Sequence, residues 1–328
     1  MAYSRELTMA LHILAIPDRA DGRKEAEYRP QIAYGGAILC WLLSAGVYIA
    51  AKWATADVPP WTLCFWRLSI ACAILLPLAG THFGAMARLV RSRFPELLLV
   101  GCLGLTFCQG MIYAGLQYCD ATTAGIIMAL APVLTMVLAA LVLGEALGIW
   151  QAIGALSSLA GVAAIIAHGD IDALLKLRFN PGELWVAGAA LCWGLYTVLL
   201  RRMKFDLDRL PLLALLLGFG ALAALPFYLW EIANDVRSAM TTSGYLAIGY
   251  VAIPGGALMY LLYNRSVDML GASRAGMLLY LQTLFVAILA YIFLGEALHS
   301  YDLFGAALIV AGLLLANLFK PGRRKAAA

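Results

Sequence analysis

The sequence carries little charge. Only 13% of its 328 residues are charged and 63% are hydrophobic, whereas an average soluble domain is about a quarter charged and about half apolar. So few polar side chains cannot cover a surface that faces water, and an ordinary soluble globular protein is excluded. Long stretches that alternate apolar with polar residues are also lacking, since runs such as LTMVLAALVL at 134–143 are continuously apolar. Membrane β-barrels require that alternation, so a barrel is excluded as well.

Motifs of enzymes and metal sites are lacking too. The sequence contains no H-E-x-x-H, no G-x-S-x-G and no phosphate-binding G-x-x-x-x-G-K-S/T. Its seven cysteines include no C-x-x-C and lie in or beside apolar runs, where thiols act as small apolar groups. Its four histidines are too far apart for the usual spacing of metal ligands. We therefore expect no enzymatic activity, no metal and no cofactor.

What the sequence has instead is a series of long apolar segments. A helix that crosses a bilayer needs about 20 mostly apolar residues. Segments of that kind lie at 31–52, 60–80, 95–118, 121–143, 148–168, 182–202, 210–230, 241–264, 272–294 and 300–319. This predicts an all-α polytopic membrane protein with ten transmembrane helices.

The basic residues predict the orientation of these helices, because Lys and Arg concentrate in the cytoplasmic loops of membrane proteins. With the N-terminus inside, 18 of the 23 Lys and Arg fall in cytoplasmic segments. They are Arg5, Arg19, Arg23, Lys24, Arg29, Arg88, Arg91, Arg93, Arg201, Arg202, Lys204, Arg209, Arg265, Arg274, Lys320, Arg323, Arg324 and Lys325. This predicts a multi-pass protein of the inner (cytoplasmic) membrane with both termini cytoplasmic. The net charge of +4 then reflects topology, so we expect membrane lipids and no nucleic acid as partners.

A repeat divides the chain into two halves. Shifted by 151 residues, Gly125–Gly161 aligns without a gap on Gly276–Gly312, and LGEAL at 143–147 falls on LGEAL at 294–298. Identical pairs include Gly125/Gly276, Leu130/Leu281, Leu138/Leu289, Ala139/Ala290, Gly154/Gly305 and Gly161/Gly312. We interpret the chain as a duplicated five-helix unit. Because five is odd, the second unit enters the membrane from the opposite side, which is the inverted repeat found in many secondary transporters.

The predicted organisation has five parts. Residues 31–168 form the first five-helix repeat and residues 182–319 the second, joined by an extracytoplasmic linker at 169–181. Residues 1–30 form a cytoplasmic tail, because their apolar patch LTMALHILAI is followed by no convincing signal cleavage site. Residues 320–328 form a basic cytoplasmic tail. A receptor or scaffold would not need the duplication, so we favour a transporter, and we expect it to function as a monomer.

Two stretches resemble a known family. YAGLQYCDATTAGIIMALAPVLTMVLAALVLGEAL at 113–147 is similar to the Tyr…Ala…Pro…LGE signature of the drug/metabolite transporter superfamily in its ten-helix EamA form. FWRLSIA at 65–71 resembles the Arg-containing second helix of that family. The resemblance covers nearly all of the chain after residue 30 and is greatest to the YddG amino-acid exporters, although Thr283 stands where the repeat would place a second Pro132. It implies export of amino acids and related metabolites by alternating access.

The candidates for substrate binding are polar and aromatic residues at repeat-equivalent positions. On the first helix of each half they are Trp41 with Ser44 and Trp193 with Tyr196, each pair sharing one helical face. On the third and eighth helices they are Gln109 with Tyr113 and Tyr260 with Asn264, and on the ninth they are Tyr280 and Gln282. Single residues of these types also occur as interfacial aromatics or as amides bonded to a neighbouring helix. The pairing of whole faces favours a shared cavity.

Four further residues each allow two interpretations. Arg67, well inside a predicted span, fits either a structural role, in which it pairs with a helix-end carbonyl or snorkels outward from the second helix, or a bond to a substrate carboxylate. Pro132 leaves the carbonyl of residue 128 without its helical partner, so it hinges the helix or exposes a carbonyl to a substrate ammonium. Glu145 and Glu296 follow the fourth and ninth helices. We expect each to cap the N-terminus of the helix that follows its short turn rather than to carry protons, because proton carriers tend to lie deeper in the membrane.

The residues of such a cavity suit zwitterions with varied side chains. Aromatic faces attract an ammonium group, and amides can hold a carboxylate. We therefore expect a broad-specificity exporter of aromatic and other amino acids, with a multidrug or other small-metabolite exporter as the alternative and an intramembrane enzyme or scaffold as less favoured. With no acidic residue deep in a span, uniport and proton antiport both stay open.

Overall fold

The computed structural model describes residues 30–144, 148–166, 180–234, 236, 241–270, 278 and 280–318, which form helices and no β-strand. Their ten helices, α1 to α10, are Pro30–Ala54, Pro60–Leu78, Phe83–Gly115, Ala121–Leu143, Ile149–Ile166, Pro181–Met203, Arg209–Ala233, Thr242–Leu270, Tyr280–Leu294 and Ser300–Leu318. Seven of them are long and apolar enough to cross a membrane, and α5, α9 and α10 contribute shorter apolar stretches. The predicted all-α polytopic architecture is confirmed.

One predicted helix start differs from the structure, and another lies outside the described residues. Helix α3 begins at Phe83 rather than at residue 95, because the basic residues of its first turns hide that segment from a search for apolar runs. The helix bends at Arg93 (φ −138°, ψ 36°), two residues before Pro95, whose ring disfavours a straight helix. Helix α9 is described from Tyr280, and its predicted start at residue 272 lies outside the described part of the chain, as do residues 271–277 and 279.

Backbone irregularities recur at the offset of the sequence repeat. Helix α3 contains a π-helical segment at Cys102–Phe107, and helix α8 contains one at Ile253–Leu258, 151 residues later. Helices α4 and α9 are followed by glycines in the left-handed region, Gly144 at φ 68° and Gly295 at φ 67°, a conformation that favours glycine at a helix C-terminus. The duplication is therefore visible in local geometry as well as in sequence.

Helix α4 is broken. Its first part, α4a (Ala121–Met128), and its second part, α4b (Ala131–Leu143), are separated at residues 129–130. Pro132 lies in the first turn of α4b, where its missing N–H costs no helical bond. The proline therefore starts a new helix segment at this point.

The last helices of the two halves, α5 and α10, cross in close contact. A Cβ on Gly161 would lie 2.6 Å from the carbonyl oxygen of Gly305, and one on Gly305 would lie 2.7 Å from that of Gly161. The hydroxyl of Ser157 donates to the Leu308 carbonyl at 2.9 Å. Glycine and serine permit this approach because their side chains are small. The van der Waals contacts and the interhelical hydrogen bond then hold the two helices together in lipid.

The arginine-rich connections meet at one end of the bundle, here called the basic end. Arg93 Nη1 donates to the Met203 carbonyl at 2.6 Å, and its guanidinium carbon lies 4.7 Å from the centre of the Phe205 ring. Arg209 Nη1 pairs with Asp268 Oδ1 at 2.7 Å. These contacts join the start of α3, the α6–α7 connection and the end of α8.

Polar contacts between the two halves close the opposite end, here called the capped end. Both oxygens of Glu231 in α7 accept bonds from the backbone of α2, from Trp61 N at 3.1 Å and Thr62 N at 2.7 Å. Ser243 donates to Asp57 Oδ2 at 2.8 Å. Because these contacts pair elements of different halves, they hold the halves together at this end.

Candidate substrate cavity

A cavity of about 630 Å³ lies between the two halves. Its lining residues come from eight helices, α1 to α4 of the first half and α6 to α9 of the second. Clefts of this size are typical of small-molecule sites. The lining includes Arg201 and Arg209, which belong to the basic end, so the cavity extends toward that end.

Most residues predicted from the sequence lie in this wall. Eight of the ten substrate-binding candidates line the cavity, and they are Trp41, Ser44, Gln109, Trp193, Tyr196, Tyr260, Asn264 and Gln282. Tyr113 is 2% exposed and contacts Arg67 behind the wall. Tyr280 is the first residue of α9, but its side chain lies outside the described part of the structure. Long-range packing therefore gathers residues that are far apart in sequence.

The two tryptophans hold defined positions against neighbouring rings. Trp41 packs edge-on against Tyr263 with ring centres 5.7 Å apart, and Trp193 lies 5.2 Å from Tyr196 at a tilt of 42°. Such pairs restrict ring rotation and leave other ring surface for a ligand. Since Trp41 is on α1 and Trp193 is on α6, each half contributes an aromatic face to the wall.

Arg67 of α2 is the centre of a buried polar cluster that also lines the cavity. The side chain is 2% exposed. Its Nη1 donates to Gln109 Oε1 at 2.7 Å and to the Tyr113 hydroxyl oxygen at 2.6 Å, and its Nη2 donates to the Gly255 carbonyl at 3.0 Å. Gly255 lies in the π-helical segment of α8, and such segments disturb the regular carbonyl pairing of a helix. Arg67 thereby joins α2, α3 and α8.

The break in α4 brings backbone to the cavity. Ala129 and Ala131, on either side of the break, line the wall. Thr283 of α9 also lines it and donates to the Gly125 carbonyl of α4a at 3.3 Å. Irregular backbone at membrane depth is tolerated where it lines a cavity. Pro132 thus shapes the wall by starting α4b directly after the break.

Glu296 caps a helix, but a different one from the helix expected. Its oxygens accept bonds from Ala121 N at 2.9 Å, from Thr122 N at 3.0 Å and from the Thr122 hydroxyl at 2.9 Å. It therefore caps α4a of the first half, whereas the start of α10 is capped by Asp302, which accepts from His299 N at 3.1 Å. The following helix was the expected partner because it is adjacent in sequence. Glu145 lies outside the described residues.

Other lining residues were missed by the sequence analysis. Tyr48, Thr197 and Tyr263 line the cavity, and each follows a predicted residue at helical spacing. Tyr48 lies four residues after Ser44, Thr197 four after Trp193, and Tyr263 three after Tyr260. Extending the predicted faces by one turn would have found all three. Arg201 and Arg209 could not be found in this way, because they were assigned to a loop by their charge.

The described carboxylates lie apart from the cavity. The lining contains no Asp or Glu among the described residues. No group of three or more His, Cys, Asp or Glu in that part of the chain could hold a metal ion. The site can therefore offer aromatic faces, amides, hydroxyls and guanidinium groups to a ligand.

Comparison with known proteins places the chain among transporters. Residues 31–167 and again residues 180–318 match the EamA-like transporter family. The uncharacterized transporter YyaM of Bacillus subtilis is 24% identical over 276 residues, which is 84% of this chain and 90% of that protein. A probable terminal-alkyne amino-acid exporter of Streptantibioticus cattleyicolor is 26% identical over 264 residues, 80% of this chain and 85% of the relative. A solved crystal structure, 24% identical, has the same fold with a TM-score of 0.59 over 88% of this chain and 97% of its own.

Proposed function

The chain belongs to the EamA-like transporter family, and on that premise we propose that it exports amino acids and related small metabolites. The family that it matches and the relatives that it resembles are membrane transporters and not enzymes. The export would cross the inner (cytoplasmic) membrane by alternating access, with aromatic and other amino acids accepted. The two five-helix repeats at 31–168 and 182–319 would act as the moving parts, within a single monomer.

The observation that carries this proposal is the position of the cavity. Its wall contains Trp41 and Gln109 from the first half and Trp193, Tyr260 and Asn264 from the second. A site shared by two inverted repeats can open to one side and then to the other when the halves rock. A substrate held between them is then carried across without leaving the site.

The contacts that join the two halves at the capped end support a cavity that faces the basic end. The cavity extends to Arg201 and Arg209 at the basic end, while Glu231 and Glu296 join the halves at the capped end. Under the positive-inside rule the basic end is cytoplasmic. With that orientation, this conformation would receive a substrate from the cytoplasm, as an exporter requires.

The chemistry of the wall supports zwitterions of varied shape. Aromatic faces such as Trp41 and Trp193 attract an ammonium group, and the Gln109, Asn264 and Gln282 amides can bond to a carboxylate. Few of these groups demand a particular side chain, so broad specificity is expected. The relative from Streptantibioticus cattleyicolor, named a probable amino-acid exporter, agrees with this substrate class.

Export of drugs or other small metabolites is the second candidate. The large share of aromatic and aliphatic residues in the wall, among them Tyr48, Met128 and Leu216, favours apolar ligands as well. The two functions differ in the ligand and not in the mechanism. Arg67 and Pro132 would serve either, by shaping the wall or by touching the ligand.

Efflux from proteoliposomes tests the proposal. Purified full-length protein is reconstituted with a panel of labelled amino acids inside, and release is measured with and without an imposed pH gradient. We expect release of several amino acids above that of protein-free liposomes. A dependence on the gradient would indicate proton antiport, and its absence uniport. Release of lipophilic drugs without any amino-acid release would establish the second candidate instead.

A further inference from the structure

All the charged residues described in the cavity wall are positive. Among the described residues, the wall contains Arg67, Arg201 and Arg209 but no Asp, Glu, Lys or His. Arg67 lies within the bundle, and the other two lie at the basic end, where the cavity opens. Charges of one sign that line a cleft with apolar walls concentrate ligands of the opposite sign.

Arg67 is a buried cation whose partners are all neutral. It donates to an amide oxygen of Gln109, a phenol oxygen of Tyr113 and a backbone carbonyl of Gly255. In the described part of the chain, no carboxylate forms an ion pair with it. An ionised group at membrane depth is expensive and is usually paired with an opposite charge. The positive charge of Arg67 is therefore uncompensated by the described residues.

One donor of this guanidinium is also unused. Arg67 Nε is buried and has no hydrogen-bond partner among the described residues. The proton of this nitrogen is covered in this conformation, although the side chain of Arg67 lines the cavity. Guanidinium groups bind carboxylates through two parallel N–H bonds. A ligand carboxylate would supply both the missing negative charge and an acceptor for Nε.

The two arginines of the wall that lie at the basic end, Arg201 and Arg209, are more exposed to solvent than Arg67. Arg209 is paired with Asp268 at 2.7 Å, and both side chains are about half exposed to solvent. Arg201 is exposed and carries a further positive charge. Exposed charges act over about one Debye length, so they draw anions to the opening without fixing them there.

We propose that the cavity requires a carboxylate on its ligand, that Arg67 binds this carboxylate, and that the cavity rejects monocations without one. The inference rests on the proposed function, because it names the ligand class of the same cavity. Zwitterionic amino acids and the matching oxo acids meet the requirement. Primary amines and cationic drugs do not, because they lack a carboxylate for Arg67 and no carboxylate of the described wall balances their positive charge.

Two matched sets of ligands test the requirement on the unmodified protein. The first is L-leucine, 4-methyl-2-oxopentanoate and 3-methylbutylamine, which share one side chain and differ in the charged groups. The second is L-phenylalanine, phenylpyruvate and phenethylamine. Binding to the purified full-length protein is measured by isothermal titration calorimetry. We expect the amino and oxo acids to bind and the amines to bind at least about tenfold more weakly, as expected for like charges brought together.

Variants of Arg67 then test which residue makes the distinction. Arg67→Gln removes the charge, Arg67→Lys keeps it, and Arg202→Gln removes an exposed charge of α6 that does not line the cavity. We expect Arg67→Gln to reduce the preference for acids over amines about tenfold, Arg67→Lys to retain most of it, and Arg202→Gln to leave it unchanged. Size-exclusion profiles identify any variant that fails to fold. If one does, the two ligand sets measured on the unmodified protein still test the carboxylate requirement.

The outcomes separate this inference from the proposed function. Amines that bind as tightly as the acids, or no binding of any of the four acids, would overturn the carboxylate requirement. Transport of amines in the efflux assay would overturn it while leaving the chain a transporter. Binding of oxo acids together with absent amino-acid efflux would support the requirement and overturn amino-acid export. An unchanged acid preference in folded Arg67→Gln would overturn the role of Arg67.

Discussion

At the scale of single residues, the cavity depends on side chains whose neighbours fix their orientation. Trp41 is 8% exposed and packs against Tyr263, so its indole is held in place before any ligand arrives. Trp193 is held in the same way by Tyr196. An aromatic face that is already positioned loses little conformational entropy when a ligand binds. These two residues are therefore the best single tests of the cavity.

We predict that Trp41→Ala and Trp193→Ala each impair export while the protein still reaches the membrane. Removing an aromatic face from a desolvated ammonium should cost about 1–2 kcal/mol, which is roughly a tenfold loss of apparent affinity. The measurement is the substrate concentration dependence of efflux from proteoliposomes. The control is Leu284→Ala, a residue of α9 that is 53% exposed on the outer face of the bundle. Unimpaired export in both tryptophan variants would place the substrate elsewhere.

At the scale of helices, the ends of two first-half helices depend on carboxylates of the second half. Glu231 caps α2 at Trp61 and Thr62, and Glu296 caps α4a at Ala121 and Thr122. The exposed N–H groups and the helix dipole at each N-terminus favour a carboxylate there. A cap supplied by another helix also positions that helix, so both glutamates fix the relation of the halves at the capped end.

Replacing Glu296 by Gln should lower thermal stability modestly and leave transport per molecule largely intact. Gln keeps one acceptor oxygen but loses the charge and the second acceptor. The expected cost is on the order of 1 kcal/mol or less, seen as a small fall of the melting temperature of the purified protein. Glu96→Gln is the control, because Glu96 forms only a 3.4 Å contact with Arg93 near the surface. Loss of transport in a well-folded Glu296→Gln protein would contradict a purely structural cap.

The crossing of α5 and α10 gives a second prediction at this scale. In Gly161→Ala the new Cβ would lie 2.6 Å from the Gly305 carbonyl oxygen, so the helices must separate and lose packing. We expect a lower melting temperature. Gly249→Ala is the matched control, since a Cβ there has no atom within 4 Å and alanine favours a helix by about 1 kcal/mol over glycine. Equal stability of the two variants would show that the close crossing is not needed.

At the scale of the whole molecule, the two ends of the bundle differ in both charge and closure. The basic end holds Arg93, Arg201 and Arg209, of which Arg201 and Arg209 line the cavity. The capped end is joined across the halves by Glu231 and Glu296. Transport by alternating access would require the capped contacts to break as the basic end closes. Under the proposed function, the observed arrangement would be one of the two states of such a cycle.

Labelling of single cysteines in intact cells tests the orientation. We predict that a membrane-impermeant maleimide reaches a cysteine at Thr242, which is exposed at the start of α8, but not one at Arg91, which is exposed in α3. The reason is that Lys and Arg concentrate in the cytoplasmic loops of membrane proteins, which would place the basic end in the cytoplasm. The parent protein controls for its own cysteines, and permeabilised cells should label both variants. The reverse pattern would invert the predicted topology.

Many lining residues of the cavity were predictable because the duplication repeats the same helical faces in both halves. Trp41 and Trp193, or Gln109 and Tyr260, occupy equivalent positions in the two repeats, and residues at i, i+3 and i+4 share a face. Eight of the ten predicted residues accordingly line the cavity. Tyr113 does not, since it is buried and accepts a hydrogen bond from Arg67, which does line the cavity. Which member of a polar pair reaches the cavity depends on the neighbouring helix, and the sequence of one helix does not contain that information.

The sequence by itself determined the properties that are local or additive along the chain. Apolar length and the 151-residue repeat give ten helices in two inverted units, because the bilayer requires each span to satisfy its own backbone bonds. Only the tertiary structure decided which residues more than a hundred positions apart contact each other. Arg67 donates to the Gly255 carbonyl, and Glu296 caps α4a instead of α10. Those partners are fixed by how helices pack, and packing depends on the shapes of many side chains at once.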